Sequence, residues 1–379
     1  MELLVGIVTG LLILVFLVVI HELGHAIAAR RNGVVVEEFG IGFPPRALGK
    51  KLKNGVLLSL NWLPLGGFVK LQGEHDAADK KGDYGAATFW QKTKILFAGV
   101  AINWLFAALL LTLLALTGLP KVVPNQFSIP ADTRIDKQPV QIAGVSKDTP
   151  AERAELKTGD KFILFNGEDV STIERLQELS KANAGKTVSV VVLRGGEEQN
   201  KKVTLNAPQG QPALGVGLNQ SEELVSTWSA PLVGLGTAAQ FSWLTLQGLG
   251  DVIGNFFSGL VLKFSPDQAV RAQGDSNIQT ASNGVSGPIG ILGVFFPAVQ
   301  KAGFEQLVFF TALISLSLAV MNALPIPAFD GGRWFVTALY RVLKRPLTKE
   351  REEKVQATGF FIMMGLVVLV TVADVTKFF

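Results

Sequence analysis

Two histidines and a glutamate lie at the end of a long apolar run near the start of the chain. The run extends from Leu3 to Ile20, and the sequence His21-Glu22-Leu23-Gly24-His25 follows it directly. Side chains four residues apart share one face of a helix, so both imidazoles can reach one metal ion. Glu22 falls beside them, where its carboxylate can take a proton from an attacking water. The spacing therefore predicts a hydrolytic metal site on a membrane-spanning helix, where ionisable residues usually have a function.

The composition is typical of a membrane protein. Hydrophobic residues make up 48% of the chain and charged residues only 17%, a balance that favours burial in lipid. Cysteine is absent, so a zinc ion would have to be bound by histidine and carboxylate side chains. The net charge of +4 comes without a basic stripe interleaved with aromatics, so we expect no nucleic-acid partner.

Four stretches are long and apolar enough to span a bilayer as helices. They are predicted within residues 1–30, 93–119, 301–332 and 357–379. Lys and Arg crowd the segments 31–92 and 333–356, whereas the opposite ends of the spans carry few. By the positive-inside rule, we expect both basic segments to be cytoplasmic and residues 120–300 to be extracytoplasmic.

Two segments have alternative interpretations. Residues 229–262 are apolar but contain Gln240 and Asp251, and a fifth crossing there would move residue 330 away from the side of the histidines. We therefore expect 221–300 to form interfacial or re-entrant helices. The first apolar run follows the acidic Glu2, and cleavage after Ala28 would remove both histidines, so we expect a retained helix and not a signal peptide.

A third metal ligand is expected far along the chain, because a catalytic zinc site uses three protein ligands and leaves one position open. Asp330 follows Pro325 and Pro327 in an apolar stretch and precedes two glycines. Irregular backbone of this kind is tolerated at membrane depth where it lines a cavity. The alternative is an ordinary helix end with an Asp in a turn. His75, in a polar loop, is interpreted as a solvated side chain.

With these motifs the chain resembles the intramembrane zinc metalloproteases of the site-2 protease family. The similarity is greatest to the regulator of sigma-E protease branch, whose members carry a PDZ domain. The histidine pair matches the family's HExxH. The segment that begins at Asn322 and includes Asp330 matches the family's pattern Asn-x-x-Pro-x-Pro-x-x-Asp-Gly, with Phe329 where Leu is usual. Gly287-Pro288-Ile289-Gly290 matches a further element of the family.

The resemblance implies a role for each matching residue. His21, His25 and Asp330 would bind Zn²⁺. Glu22 would be the general base, which later protonates the leaving amine, and Asn322 would hold the substrate backbone extended or, alternatively, make a helix-end hydrogen bond. A weaker match, Gly99 and Asn103, falls on a Gly-Pro-x-x-Asn element in which Val100 replaces the proline, and Asn103 could equally be an interhelical hydrogen-bonding residue.

The segment 31–92 contains strand patterns at 34–36, 57–63 and 64–71. The resemblance suggests a membrane-dipping β-hairpin whose edge, at Gly66, Gly67 and Phe68, adds a strand of substrate. Such addition would satisfy the backbone groups of an unwound substrate helix. The alternative is a cytoplasmic β region with a structural role only.

Residues 120–220 are predicted to form a soluble domain outside the membrane. Within it, residues 140–208 alternate between strand and helix patterns and carry a Pro-Ala-x-x-Ala-x-Leu-x-x-Gly-Asp sequence that ends at Asp160. This part resembles the PDZ domains of periplasmic proteases. Its groove could bind a peptide C-terminus, or the domain could act as a size filter over the active site, and both possibilities stay open.

The sequence thus predicts a polytopic α-helical membrane protein with four transmembrane helices, a membrane-associated β-hairpin region and a soluble PDZ-like α+β domain. By resemblance it would be a zinc endopeptidase of the bacterial inner membrane, with membrane lipid around it. Its substrates would be single-span membrane proteins already trimmed by another protease, such as anti-sigma factors, or signal peptide remnants, cleaved in regulated intramembrane proteolysis. One alternative is a non-catalytic peptide-binding protein, but a structural zinc site has no use for Glu22. A transporter is the other, but no matching pair of broken helices supports it.

Overall fold

The computed structural model describes residues 2–207 and 213–378. Residues 1, 208–212 and 379, which fall in three of the predicted segments, lie outside the described residues. The chain divides into two compact units, one formed by residues 1–113 with 234–379 and the other by residues 114–233.

The helices of the described chain are α1 Glu2–Arg31, α2 Phe89–Thr117, α3 Pro150–Arg153, α4 Ile173–Ala182, α5 Ala230–Lys263, α6 Gln268–Asn283, α7 Pro288–Gly290, a π-helical turn Ile291–Phe295, α8 Phe296–Ala302, α9 Phe304–Ala323, α10 Asp330–Val342 and α11 Lys349–Phe378. The strands are β1 Val36–Lys51, β2 Leu57–Leu71, β3 Leu119–Pro120, β4 Arg134–Lys137, β5 Gln141–Val145, β6 Lys161–Phe165, β7 Glu168–Asp169, β8 Thr187–Arg194, β9 Glu197–Thr204, β10 Val216–Asn219 and β11 Glu222–Val225.

Four of these helices, α1, α2, α9 and α11, are long and apolar enough to cross a membrane. They coincide with the four apolar stretches recognised in the sequence. Helix α6 and the segment 288–302 meet at a bend of 48° and would together qualify as a broken span or a re-entrant loop. Helix α5, with 34 residues, is not among the candidate spans.

Most of the segment 333–356, which was predicted as a cytoplasmic loop, is helical. Helix α10 starts at Asp330, and α11 starts at Lys349, well before the predicted span. Helix α9 ends at Ala323, where Pro325 and Pro327 follow and the backbone leaves the helical conformation. Helix α2 starts earlier than predicted because Thr88 and Gln91 form a capping box, in which Thr88 Oγ1 accepts from the Gln91 amide and Gln91 Oε1 accepts from the Thr88 amide.

Strands β1 and β2 form one folded sheet, in which part of β1 has β2 partners on both sides. Residues 36–41 pair with 67–71 on one side, residues 38–41 also pair with 57–60 on the other, and residues 46–51 pair with 57–61. Within the described residues, 67–71 pairs on one side only, so this part of β2, here called the edge segment, borders the sheet. A core of Ala29, Val36, Leu71 and Ile95, with other apolar side chains, joins the sheet to α1 and α2.

Hydrogen bonds to Asp374 of α11 hold the Gly287-Pro288-Ile289-Gly290 element in place. The carboxylate of Asp374 in α11 is 1% exposed and accepts hydrogen bonds from the amides of Gly287, at 3.1 Å, and Gly290, at 2.7 Å. These donors open helix α7, whose amides have no intrahelical partners. The helical segment that follows packs Phe296 and Pro297 against α1.

The unit of residues 114–233 contains an antiparallel sheet of order β10-β5-β6-β8-β9, with β7 paired to β6, and a small sheet of order β3-β11-β4. Strand β5 and helix α4 fall within residues 140–208, where the sequence alternates between strand and helix patterns. Arg194 donates to both carboxylate oxygens of Asp160, at 2.6 and 2.7 Å. Burial alone would raise the pKa of Asp160, but the hydrogen bonds from Arg194 and the Lys157 amide hold it below its usual range. The Gly-Asp end of the sequence pattern therefore fixes a turn of this unit.

Candidate active site

Three side chains from distant parts of the sequence converge on one point. His21 Nε2 lies 3.0 Å from Asp330 Oδ2, His25 Nε2 lies 3.2 Å from the same oxygen, and the two Nε2 atoms are 3.1 Å apart. Both histidines are buried, at 7% and 8% exposure. Within residues 2–207 and 213–378, this is the one cluster of three or more His and carboxylate residues arranged to hold a metal ion.

Helix α2 orients the histidines. His25 Nδ1 donates to the Ile95 carbonyl oxygen at 2.8 Å, which leaves the Nε2 lone pair facing the cluster. The helices approach closely because two glycines face the contact. A Cβ atom added at Gly24 would lie 2.6 Å from the Ala98 carbonyl oxygen. A Cβ atom added at Gly99 would lie 2.5 Å from His25 Nε2 and 2.8 Å from His21 Nε2. Gly99 therefore leaves the space in which an ion could sit.

The loop between α9 and α10 places Asp330. Gly332 lets α10 start against this loop, since a Cβ atom there would lie 1.9 Å from the Ile326 carbonyl oxygen. Ala328 adopts a positive φ of 83°, and its amide donates to Gln356 Oε1 of α11 at 2.9 Å. Pro327 packs on Gly359 of the same helix. Helix α11 thus supports the loop that carries the carboxylate.

Glu22 and the edge segment are neighbours. A Cβ atom added at Gly67 would lie 3.7 Å from Glu22 Cγ and 3.6 Å from Val18 Cγ1, so the edge segment runs directly beside α1. The Glu22 carboxyl group interacts electrostatically with His21, His25 and Asp330 and with the backbone amide of Val69. The sequence-predicted base and the predicted substrate-binding edge therefore lie together at the cluster.

The remaining predicted residues have different surroundings. Gly66 has a φ of 86° and faces the Phe43 ring, and the Phe68 ring lies over Gly40. Asn322 Nδ2 donates to the Leu318 carbonyl oxygen of its own helix at 2.9 Å, which is the helix-end hydrogen bond that the sequence left open as the alternative. A role in substrate binding for Asn322 stays a prediction.

Sequence reasoning missed the ion pairs of Arg333, which hold the helix that begins at Asp330. Arg333, one helical turn beyond Asp330, donates to Glu74 Oε1 at 2.9 Å and to Glu352 Oε1 at 3.1 Å. Its guanidinium group also lies 4.6 Å from the centre of the Tyr84 ring. Since these partners come from α11 and the loop after β2, Arg333 ties three elements together. The sequence feature that could have indicated this role is an arginine three residues after the candidate ligand Asp330.

A cavity of about 330 Å³ opens beside Asp330. Its lining includes Glu74, Arg333, Glu352, Gln356 and His75. His75 is half-buried, and it is not part of the His21, His25 and Asp330 cluster, as the sequence predicted.

The cluster fits a divalent metal ion. Two imidazole nitrogens and one carboxylate oxygen are the donors that zinc takes when sulfur is absent, and three protein ligands leave a fourth position open, as in catalytic sites. The gap at Gly99 and the fixed orientation of His25 support the same interpretation.

A metal site built from these residues predicts that Asp330→Ala lowers zinc content from about one ion per chain to a small fraction of that, because two ligands bind far more weakly than three. Elemental analysis after dialysis against a weak chelator measures it. Asp251→Ala, which removes an exposed carboxylate from α5, is the matched control and should keep its zinc. A full complement of zinc in Asp330→Ala would contradict the three-ligand assignment.

Comparison with known proteins identifies relatives over the whole chain. The model of peptidase family M50 matches residues 9–366. A Clostridium perfringens protein named as a candidate zinc metalloprotease is 30% identical over 370 residues, which cover 97% of this chain and 98% of that protein. The zinc metalloprotease RasP of Geobacillus kaustophilus is 26% identical over 461 residues, which cover 100% of this chain and 99% of that protein.

Among solved structures, the PDZ domain of an SdrC-like protein from Listeria monocytogenes matches 21% of this chain and 86% of its own, with 20% identity and a TM-score of 0.20. The family match includes both histidines, the glutamate between them and the segment that carries Asp330. Zinc is the metal named for the relatives. The chain therefore belongs to peptidase family M50, the site-2 protease family, and is a zinc metalloprotease.

Proposed function

We propose that this protease cleaves the transmembrane segments of single-span membrane proteins inside the bilayer. One observation carries the proposal: the cluster and Glu22 are built on α1, beside α2 and just after α9, and all three helices are long and apolar enough to span a membrane. A substrate bond that reaches such a site has to belong to a chain in the same apolar layer.

In this proposal His21, His25 and Asp330 bind zinc and Glu22 is the general base. When bound, zinc supplies Lewis-acid polarisation. Glu22 removes a proton from the attacking water and delivers it to the leaving amine, so that one carboxylate serves both halves of the hydrolysis. Its position beside both histidines and the Val69 amide supports this assignment.

We propose further that the substrate binds as a strand along the edge segment. Backbone groups within a helix are bonded to one another, so a transmembrane helix has to unwind locally before its peptide bond can be attacked. The unwound residues then need new partners, which a strand edge with pairing on one side can provide. The closeness of Gly67 to Glu22 supports this position, because it would bring the substrate strand next to the proposed base.

Strand addition predicts that Gly67→Val slows cleavage at least tenfold while zinc content stays unchanged, because the new side chain meets the Gly40 carbonyl oxygen at 3.1 Å and crowds Glu22. Gly49→Val is the control in the same sheet, since a side chain there meets the flexible Arg46 side chain. Cleavage rates and zinc content are measured on the same preparations. Unimpaired cleavage by Gly67→Val would count against the edge segment as the binding site.

The membrane sidedness is also part of the proposal. The basic segments 31–92 and 333–356 are assigned to the cytoplasmic side and residues 120–300 to the outside, which puts the active site near the cytoplasmic face of the inner membrane. Because the chain has no cysteine, single cysteines introduced at Ser221 and Asn283 report on accessibility cleanly. Both should react with a membrane-impermeant thiol reagent from outside. Labelling of the two positions from opposite sides would overturn this topology.

The resemblance to the site-2 proteases supports substrates that another protease has already shortened, such as anti-sigma factors, or signal peptide remnants, in regulated intramembrane proteolysis. The test uses the purified enzyme in lipid vesicles with a single-span peptide that carries either a short outer stub or a folded outer domain. We expect cleavage of the short form within its apolar segment, located by mass spectrometry, with loss on chelation and recovery with zinc. Cleavage of soluble peptides alone would contradict an intramembrane substrate, and equal cleavage of both forms would contradict the requirement for trimming.

A further inference from the structure

The side chain of Asn103 lies against His21 on the side away from the metal cluster. Asn103 is 0% exposed, and its Nδ2 atom is 3.5 Å from His21 Nδ1, which is long for a hydrogen bond. Its Oδ1 atom is buried and has no hydrogen-bond partner among the described residues. A buried amide oxygen without a partner is costly, so its placement calls for an explanation.

A comparison with His25 shows which hydrogen bond His21 lacks. His25 Nδ1 donates to the Ile95 carbonyl oxygen, and its Nε2 faces the cluster. His21 also turns Nε2 toward the cluster. A histidine that binds a metal through Nε2 is neutral and carries its proton on Nδ1, which then needs an acceptor. The polar group next to His21 Nδ1 is the Asn103 amide.

We infer that Asn103 is a positioning residue that accepts the Nδ1 proton of His21 through Oδ1 and so fixes the ring for zinc. A half turn of the amide about its Cβ–Cγ bond exchanges the two ends and brings Oδ1 to the place of Nδ2. This gives the orphan oxygen a donor and the ring proton an acceptor, and it moves the NH₂ group to the position that Oδ1 now occupies. The inference rests on the proposed ligand set and adds to it the partner of His21.

The spacing along α2 fits this role. Ile95, Gly99 and Asn103 follow one another at intervals of four residues and share a face of the helix. The first supplies the acceptor for His25, the second the space beside both Nε2 atoms, and the third the amide at His21. One helix face thus supports both imidazoles.

The test is the zinc affinity of the full-length protein, measured by chelator competition after metal removal. Asn103→Leu and Asn103→Ala, which lack an acceptor, should weaken zinc binding about 10- to 100-fold. Asn103→Asp keeps an acceptor oxygen and should bind zinc within a few-fold of the wild type or more tightly. Affinity is independent of turnover, so a loss of activity for other reasons does not enter the result.

Ser315→Ala is the matched control, because Ser315 Oγ donates to the main-chain carbonyl oxygen of Asn103 at 2.8 Å and not to its side chain. It should keep wild-type zinc affinity, and thermal unfolding of the zinc-free proteins checks that each variant folds. Wild-type affinity in Asn103→Leu and Asn103→Ala would overturn the inference, as would an equal loss in Asn103→Asp or Ser315→Ala. His21→Ala separates the two claims: retained zinc there would mean that the ligand set is wrong, whereas lost zinc there with normal affinity in Asn103→Leu would refute the role of Asn103 alone.

Discussion

Glu22→Gln should abolish measurable cleavage and leave zinc content at the wild-type level. Gln has nearly the shape of Glu but cannot accept the proton of the attacking water, and loss of a positioned general base costs about 10²- to 10⁴-fold in rate. Zinc content should not change because the converging ligand atoms belong to His21, His25 and Asp330. Initial rates on the reconstituted single-span substrate and elemental analysis of the same samples measure both quantities.

The matched control for this substitution is Glu350→Gln, which removes an exposed carboxylate from the first turn of α11. It should cleave at the wild-type rate. Cleavage by Glu22→Gln at more than about a tenth of the wild-type rate would place the base elsewhere. Loss of zinc from Glu22→Gln would indicate instead that this carboxylate helps to build the metal site.

The two histidines and Asp330 could be predicted because their signals are local. A four-residue spacing on an apolar helix places His21 and His25 on one face, and the prolines before Asp330 end the helix that would otherwise continue. Their mutual distance of about 3 Å was not predictable from spacing, since 309 residues separate His21 from Asp330. The need of a catalytic zinc site for a third protein ligand suggested that the two ends meet, and the family motif implied the same.

The β region was predicted as strands but not as this sheet. Residues 38–41 pair on both sides, and this arrangement makes 67–71 an edge next to Glu22. Alternation of side chains predicts which residues face a core, but it does not determine which strands are neighbours. Of the two glycines predicted at this edge, Gly67 lies beside α1 at Glu22 and Gly66 faces the Phe43 ring, and strand addition by a substrate there stays a prediction.

Arg333 shows a different limit of sequence reasoning. In the sequence it is one of several basic residues that suggest a cytoplasmic loop. In the structure its partner Glu74 is 259 residues away, and the ion pair joins the helix that begins with Asp330 to the loop after β2. A local pattern reports the sign of a charge but not its partner, and here the partner determines the role.

Gly99→Ala should remove zinc binding through the addition of one methyl group. The new Cβ atom would lie 2.5 Å from His25 Nε2 and 2.8 Å from His21 Nε2, so the rings or the helix must move and the ligand atoms no longer converge. We expect zinc affinity to fall on the order of 100-fold or more, at the upper end of losses caused by disturbed ligand orientation. Cleavage should fall with it. Chelator competition and the reconstituted assay measure the two effects.

The same substitution separates a metal-site effect from general damage. Alanine is favoured over glycine in a helix by about 1 kcal/mol, so the intrinsic preference of α2 opposes unfolding. Gly365→Ala in α11 is the control, because its Cβ atom would meet nothing within 4 Å, and it should keep full zinc affinity and activity. Wild-type zinc affinity in Gly99→Ala would contradict the assignment of the gap at Gly99 to the metal site.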